Sequence, residues 1–129
     1  MGCRGSSVQI RPTRPSFSRS VGTTVTQAIS AYIVAADMAE AERIAGALID
    51  ERLAACVNIL GGVRSVYRWR GAVERADEVA MIAKTTQALF ERLAARVRAL
   101  HSYDTPAIVA WPIVAGDAAY LDWIAAETG

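Results

Sequence analysis

The elements read along this chain predict an α+β fold, a β-α-β-β-α-β sandwich closed by one further helix. Three observations carry the prediction. Residues 56–69 and 77–85 form apolar or alternating runs on either side of Arg70-Gly71, as in one long hairpin. Two stretches with apolar residues at helical spacing follow start signals, one before the hairpin and one after it. A proline-bearing apolar run near the end supplies a last strand.

Taken in order, residues 27–35 read as a buried strand. Asp37 is a helix N-cap with Glu40 three residues on, a capping-box spacing, and Ala41, Ile44, Ala45 and Leu48 follow on one face of a helix ending near Leu53. In the hairpin, Val57, Ile59, Val63, Tyr67 and Trp69 fall at odd positions, so the two-residue period places all five on one face and Asn58, Arg64 and Arg68 on the other. Gly61-Gly62 marks a bulge. Arg70-Gly71 is the turn, because glycine accepts a positive φ, and residues 79–83 read as a strand covered on both faces. A second helix opens at Thr85 or Thr86 and carries Leu89, Phe90, Leu93, Val97 and Leu100. Residues 101–106 are a loop, and 107–114 a strand that Pro112 restricts to an edge or a bulge. The last helix starts at Asp117 and buries Tyr120, Trp123 and Ile124. This order is that of the ferredoxin-like split βαβ fold.

Of 129 residues 53% are hydrophobic and 21% charged, a globular balance with enough apolar material for one core. Three Trp and four Tyr in so short a chain suggest apolar surface shared between subunits. Four arginines and no acid precede residue 25, leaving 10 basic against 13 acidic residues, a balance of −3, which argues against a nucleic-acid surface. The longest apolar run, around residues 28–36, is too short to span a bilayer. Residues 1–24, with Pro12, Pro15 and Gly/Ser breakers, read as a disordered leader ahead of a domain at 25–129. The leader fits a myristoylation pattern, an organelle transit peptide or an over-extended translation start. Cys3 and Cys56 are the only cysteines, which argues against a disulfide framework and suits a reducing, cytoplasmic setting.

No nucleophile elbow, phosphate loop or close carboxylate pair stands out, so an enzyme is not expected. The metal-ligand candidates are Cys56, His101, Asp104 and Glu78, since a thiolate with an imidazole favours copper or zinc over magnesium. No chelating spacing joins them. Cys56 reads equally as a small buried hydrophobe, and His101 as a helix C-terminal residue bonding the last carbonyls.

Four pieces of sequence resemble the CutA divalent-cation tolerance family: Glu51-Arg-Leu-Ala-Ala-Cys-Val-Asn58, Ser65-x-Tyr67-x-Trp69-x-Gly71 running on to Glu78 and Lys84-Thr85, His101-x-Tyr103-x-x-Pro106, and Tyr120-x-x-Trp123. Together they span roughly residues 27–127. Ser102 and Asp104 depart from the expected His-Pro-Tyr-Glu. The resemblance implies a homotrimer with no obligatory cofactor, linked to copper and other divalent cations and to the response to metal ions. It also implies a cleft between subunits at Tyr67, Trp69, Lys84 and Tyr103, which leaves a PII-like module for a small anionic ligand as the alternative.

Overall fold

Strand β1, Ala28–Ala35, is sandwiched between two antiparallel partners, and the other elements assemble around it. The computed structural model describes residues 27–129, so the reading of residues 1–24 as a leader lies outside the described residues. After β1 come α1 (Met38–Asp50), β2 (Cys56–Trp69), β3 (Ala72–Thr86), a 3-10 turn (Gln87–Leu89), α2 (Phe90–Leu100), β4 (Ile108–Pro112) and α3 (Ala118–Ala126). The four strands form one sheet in the order β2-β3-β1-β4. Pro112 ends the edge strand, where its missing N–H leaves no gap in the sheet interior.

Alternation along β1 and β3 divides the sheet into two faces. Ala31, Ile33 and Ala35 with Val79, Met81 and Ala83 meet Ala41, Ile44 and Leu48 of α1 and Leu93 and Val97 of α2. Burial of each large side chain here contributes about 1.5–3 kcal/mol. The opposite face receives α3, whose Tyr120 reaches Cys56 and Lys84 at one end of the sheet. Farther along, that face leaves Tyr67, Trp69, Val109 and Trp111 between 43% and 52% exposed. Among the described residues, no helix is long and apolar enough to cross a membrane.

The hairpin turn follows its sequence. Arg70 and Gly71 both have positive φ, 51° and 86°, the geometry of a two-residue turn whose twist matches the flanking strands. The helix α1 also starts as its cap dictates, with Asp37 Oδ1 accepting the Glu40 N–H at 2.8 Å. Two expectations are corrected. Helix α2 begins at Phe90 rather than Thr85 or Thr86, because both threonines remain in β3. Thr86 pairs with Ala28, and the buried Thr85 hydroxyl donates to the Leu53 carbonyl at 2.7 Å.

The second correction concerns which side chains share a face of the hairpin. Val57 and Ile59 stand opposite Ala83 and Met81, but the register then shifts, with Gly61 opposite Ala80 and Gly62 opposite Val79. The extra residue is a bulge, made possible by Gly61 at φ 110°. Beyond it the phase is inverted. Val63, Tyr67 and Trp69 therefore lie on the face away from α1 and α2, while Arg64, Val66 and Arg68 take over the face begun by Val57 and Ile59. Because β1 pairs with β3 only over residues 79–86, residues 63–69 and 72–78 project as a two-stranded arm.

Two glycines test this account by opposite responses. Gly61→Ala places a Cβ on left-handed backbone and should destabilise the chain by about 1–3 kcal/mol. Gly46→Ala, in mid-α1 with open space around it, should stabilise by about 0.5–1 kcal/mol in thermal or urea unfolding.

Candidate functional site

Of the eight residues singled out from sequence, six fall into two clusters within the chain. Glu78 and Lys84 lie six residues apart on β3, about 20 Å along the strand. The first cluster gathers Glu78, His101 and Tyr103, with Tyr67 close enough to Tyr103 to act on it electrostatically. The second gathers Cys56 and Lys84. Trp69 stands apart at the arm's tip, with the Arg70 guanidinium 5.2 Å from its ring centre, and Asp104 is exposed in the loop after α2.

His101 caps the C-terminus of α2, its N–H donating to the Val97 carbonyl at 2.9 Å. Its ring does something the sequence did not suggest. The imidazole is fully buried, and Nε2 lies 2.7 Å from the Val34 carbonyl of β1. A carbonyl only accepts, so Nε2 carries hydrogen. Nδ1 accepts the Tyr103 N–H at 3.0 Å and lies 3.2 Å from Glu40 Oε2. In the neutral ring both nitrogens are therefore satisfied. A proton on Nδ1 would exchange the Tyr103 contact for an ion pair with Glu40.

Glu40 is the site residue that sequence reading missed, since its spacing announced only a cap. The buried carboxylate accepts the Ala36 N–H at 3.1 Å through one oxygen and the Ser102 N–H at 3.1 Å through the other. It thus joins the end of β1, the start of α1 and the loop after α2. Burial pushes its pKa up, but the Ala36 and Ser102 bonds and the neighbouring His101 outweigh burial and leave it below the ordinary value. The loop so held delivers Tyr103, whose hydroxyl donates to Glu78 Oε2 at 2.8 Å. Tyr103 is pushed up to about 12 by burial and by its bond to the Glu78 carboxylate, with smaller contributions from Tyr67 and Glu40.

The second cluster lies under α3. Lys84 Nζ donates to Asn58 Oδ1 at 3.2 Å and sits 5.8 Å from the Tyr120 ring centre, a cation–π arrangement. Burial lowers the Lys84 pKa and raises that of Tyr120. Cys56 is buried, 3.5 Å from the Tyr120 hydroxyl. A metal would need this sulfur as a thiolate, so its candidacy as a ligand applies to the reduced chain. Among the described residues, no group of three or more His, Cys, Asp or Glu converges on one point.

The profile of the family described as "CutA1 divalent ion tolerance protein" matches residues 29–127. The chain belongs to the CutA family. The divalent-cation tolerance protein CutA of Thermus thermophilus is 52% identical over 89 residues, covering 69% of this chain and 86% of that protein. Its counterpart in Archaeoglobus fulgidus is 48% identical over 93 residues, covering 72% and 90%. The crystal structure of CutA1 from Oryza sativa superimposes with a TM-score of 0.79 at 39% identity, over 83% of this chain and 98% of that one. The Thermus thermophilus structure gives 0.78 at 46% identity, over 79% and 99%. The four-stranded antiparallel sheet with its three helices is thus a CutA architecture, and the bulge and buried Glu40 knot lie inside the matched region.

Two titrations follow from the first cluster. Because the Glu40 pKa is depressed, its stabilising contribution is present above 4.5 and is lost as pH falls through the folded value. Glu40→Gln should flatten the acid limb of urea-unfolding stability against pH and cost about 1–3 kcal/mol at neutral pH. For Tyr103 the sign is reversed: the protonated form is favoured on folding, fully below pH 10 and no longer once pH has risen through about 12. Ultraviolet titration should show the Tyr103 phenolate appearing late, alongside a delayed Tyr120, and Glu78→Gln should move the Tyr103 step earlier.

Proposed function

We propose that this protein is a homotrimeric divalent-cation tolerance protein on a ferredoxin-like sandwich, binding copper or other divalent cations in the response to metal ions. It acts by binding rather than by a catalytic step. The observation that carries the reading is the incomplete cover of the sheet's second face. Helices α1 and α2 bury one face, whereas Tyr67, Trp69, Val109 and Trp111 stay half exposed on the other, next to an arm whose outer strand edges have no partner strand among the described residues. Exposed aromatics and open edges together favour burial against further copies of the same chain.

The cation site in this proposal is completed by more than one copy, since one subunit gathers no chelating set among its described residues. Asp104 is the accessible carboxylate. Glu78 joins it by giving up the Tyr103 hydroxyl, and Cys56 joins it in the reduced chain. His101 has both ring nitrogens engaged, so it serves chiefly by holding the loop that carries Asp104, and it meets a cation directly only when that loop opens.

Native mass measurement under reducing conditions, followed by calorimetry with copper and zinc, tests both parts. The expected assembly has three times the 13.8 kDa chain mass, and Asp104→Ala and Cys56→Ser should each weaken copper binding. A well-folded solitary subunit at micromolar concentration would sink the trimer. Unchanged stoichiometry and affinity in Asp104→Ala, Cys56→Ser and His101→Ala would sink the ligand assignment.

A further inference from the structure

On the helical side of the molecule, away from both clusters, a groove of about 370 Å³ runs between the C-terminus of α1 and the outer face of α2, lined by Glu51, Leu53, Arg92, Ala95, Arg96 and Ala99. Its volume is at the lower end of the range of small-molecule sites. The four α2 residues follow the i, i+3, i+4, i+7 spacing that gives one helix a continuous face. Leu53, 5% exposed, provides an apolar wall, and the short side chains of Ala95 and Ala99 leave the floor open.

The cations of the groove are only partly used. Both oxygens of Glu51 lie 3.0 Å from Arg96 Nε, so one N–H is shared between them and the terminal guanidinium nitrogens have no partner among the described residues. That contact also holds Arg96 in place, with its side chain 38% exposed. Arg92, one turn earlier, has no hydrogen bond or ion pair to another described residue. Two guanidinium groups facing a groove, against one carboxylate, leave a net positive charge there. Guanidinium forks match the two-oxygen edge of a carboxylate or phosphate better than an ammonium does.

We propose that the groove binds a small oxyanion, carboxylate or phosphate, carried on a short apolar body. Its head would lie between Arg92 and Arg96 and its body over Ala95 and Ala99 against Leu53. The site does not depend on the cation-binding reading. Because it lies on the helical side, it also does not use the exposed aromatic face on which the trimer is proposed to assemble.

Amide NMR titration of the full-length protein with benzoate, phenyl phosphate, inorganic phosphate and neutral benzamide tests the proposal. Saturable shifts at Leu53, Ala95 and Ala99 are expected with benzoate or phenyl phosphate, and the tighter of the two names the head. Arg92→Ala and Arg96→Ala should each weaken binding about 10-fold, as expected for loss of a charged hydrogen bond. Ala99→Leu should abolish binding by filling the floor with every charge retained. Arg98→Ala, on the same helix but outside the groove, should leave affinity unchanged. The proposal fails if no probe saturates, if Arg98→Ala weakens binding as much as Arg92→Ala, or if benzamide or inorganic phosphate binds as well as the organic anions.

Discussion

The buried carboxylate of Glu40 is the constraint on which the first cluster depends. A carboxylate taken out of water is tolerated only where donors replace the lost solvent, and the Ala36 and Ser102 N–H groups do so from two different segments. Each segment is thereby fixed relative to α1. The loop can then present His101 to the Val34 carbonyl and Tyr103 to Glu78, so a single anion sets the position of groups that lie on three separate elements. Were the carboxylate replaced by a methyl group, those N–H groups would lose their acceptor at about 1–3 kcal/mol apiece.

The sheet then distributes tasks by face. One face is packed with aliphatic residues from β1, β3, α1 and α2, and its side chains are close to fully buried. The other is a mixture of aromatic rings, the Lys84 amine and the Glu78 carboxylate, half covered by α3. Polar side chains on a sheet face are stable only where water or a partner reaches them. The second face meets that condition through Asn58, Tyr103 and Tyr120, which accounts for how a lone lysine and a nearly buried glutamate coexist on it.

Much of this fold was legible because its signals are local. Arg70-Gly71 gave the turn because left-handed backbone is a property of the residues themselves, and Asp37 gave the start of α1 because capping acts over three residues. What failed depended on distant partners. Thr85 and Thr86 look like helix openers, yet Leu53 and Ala28 hold them in the strand. The glycine pair pointed to a bulge, but alternation carried through it put Val63, Tyr67 and Trp69 on the wrong side. In the site, Tyr103 and Glu78 were found separately, while their bond, the burial of His101 and the part played by Glu40 needed the tertiary structure. Asn58 beside Lys84 was likewise visible only once the strands were in register.

The irregularity at Gly61 also limits how this architecture can diverge. Beyond it, every β2 side chain of the arm owes its direction to one surplus residue, so losing that residue would turn this strand over, exchanging tyrosine and tryptophan for arginine on the face away from α1 and α2. Insertions or deletions toward the tip are tolerable only in matched twos on both strands. Relatives should therefore vary the reach of this limb in steps of about 7 Å, the advance of two strand residues, and seldom by anything between.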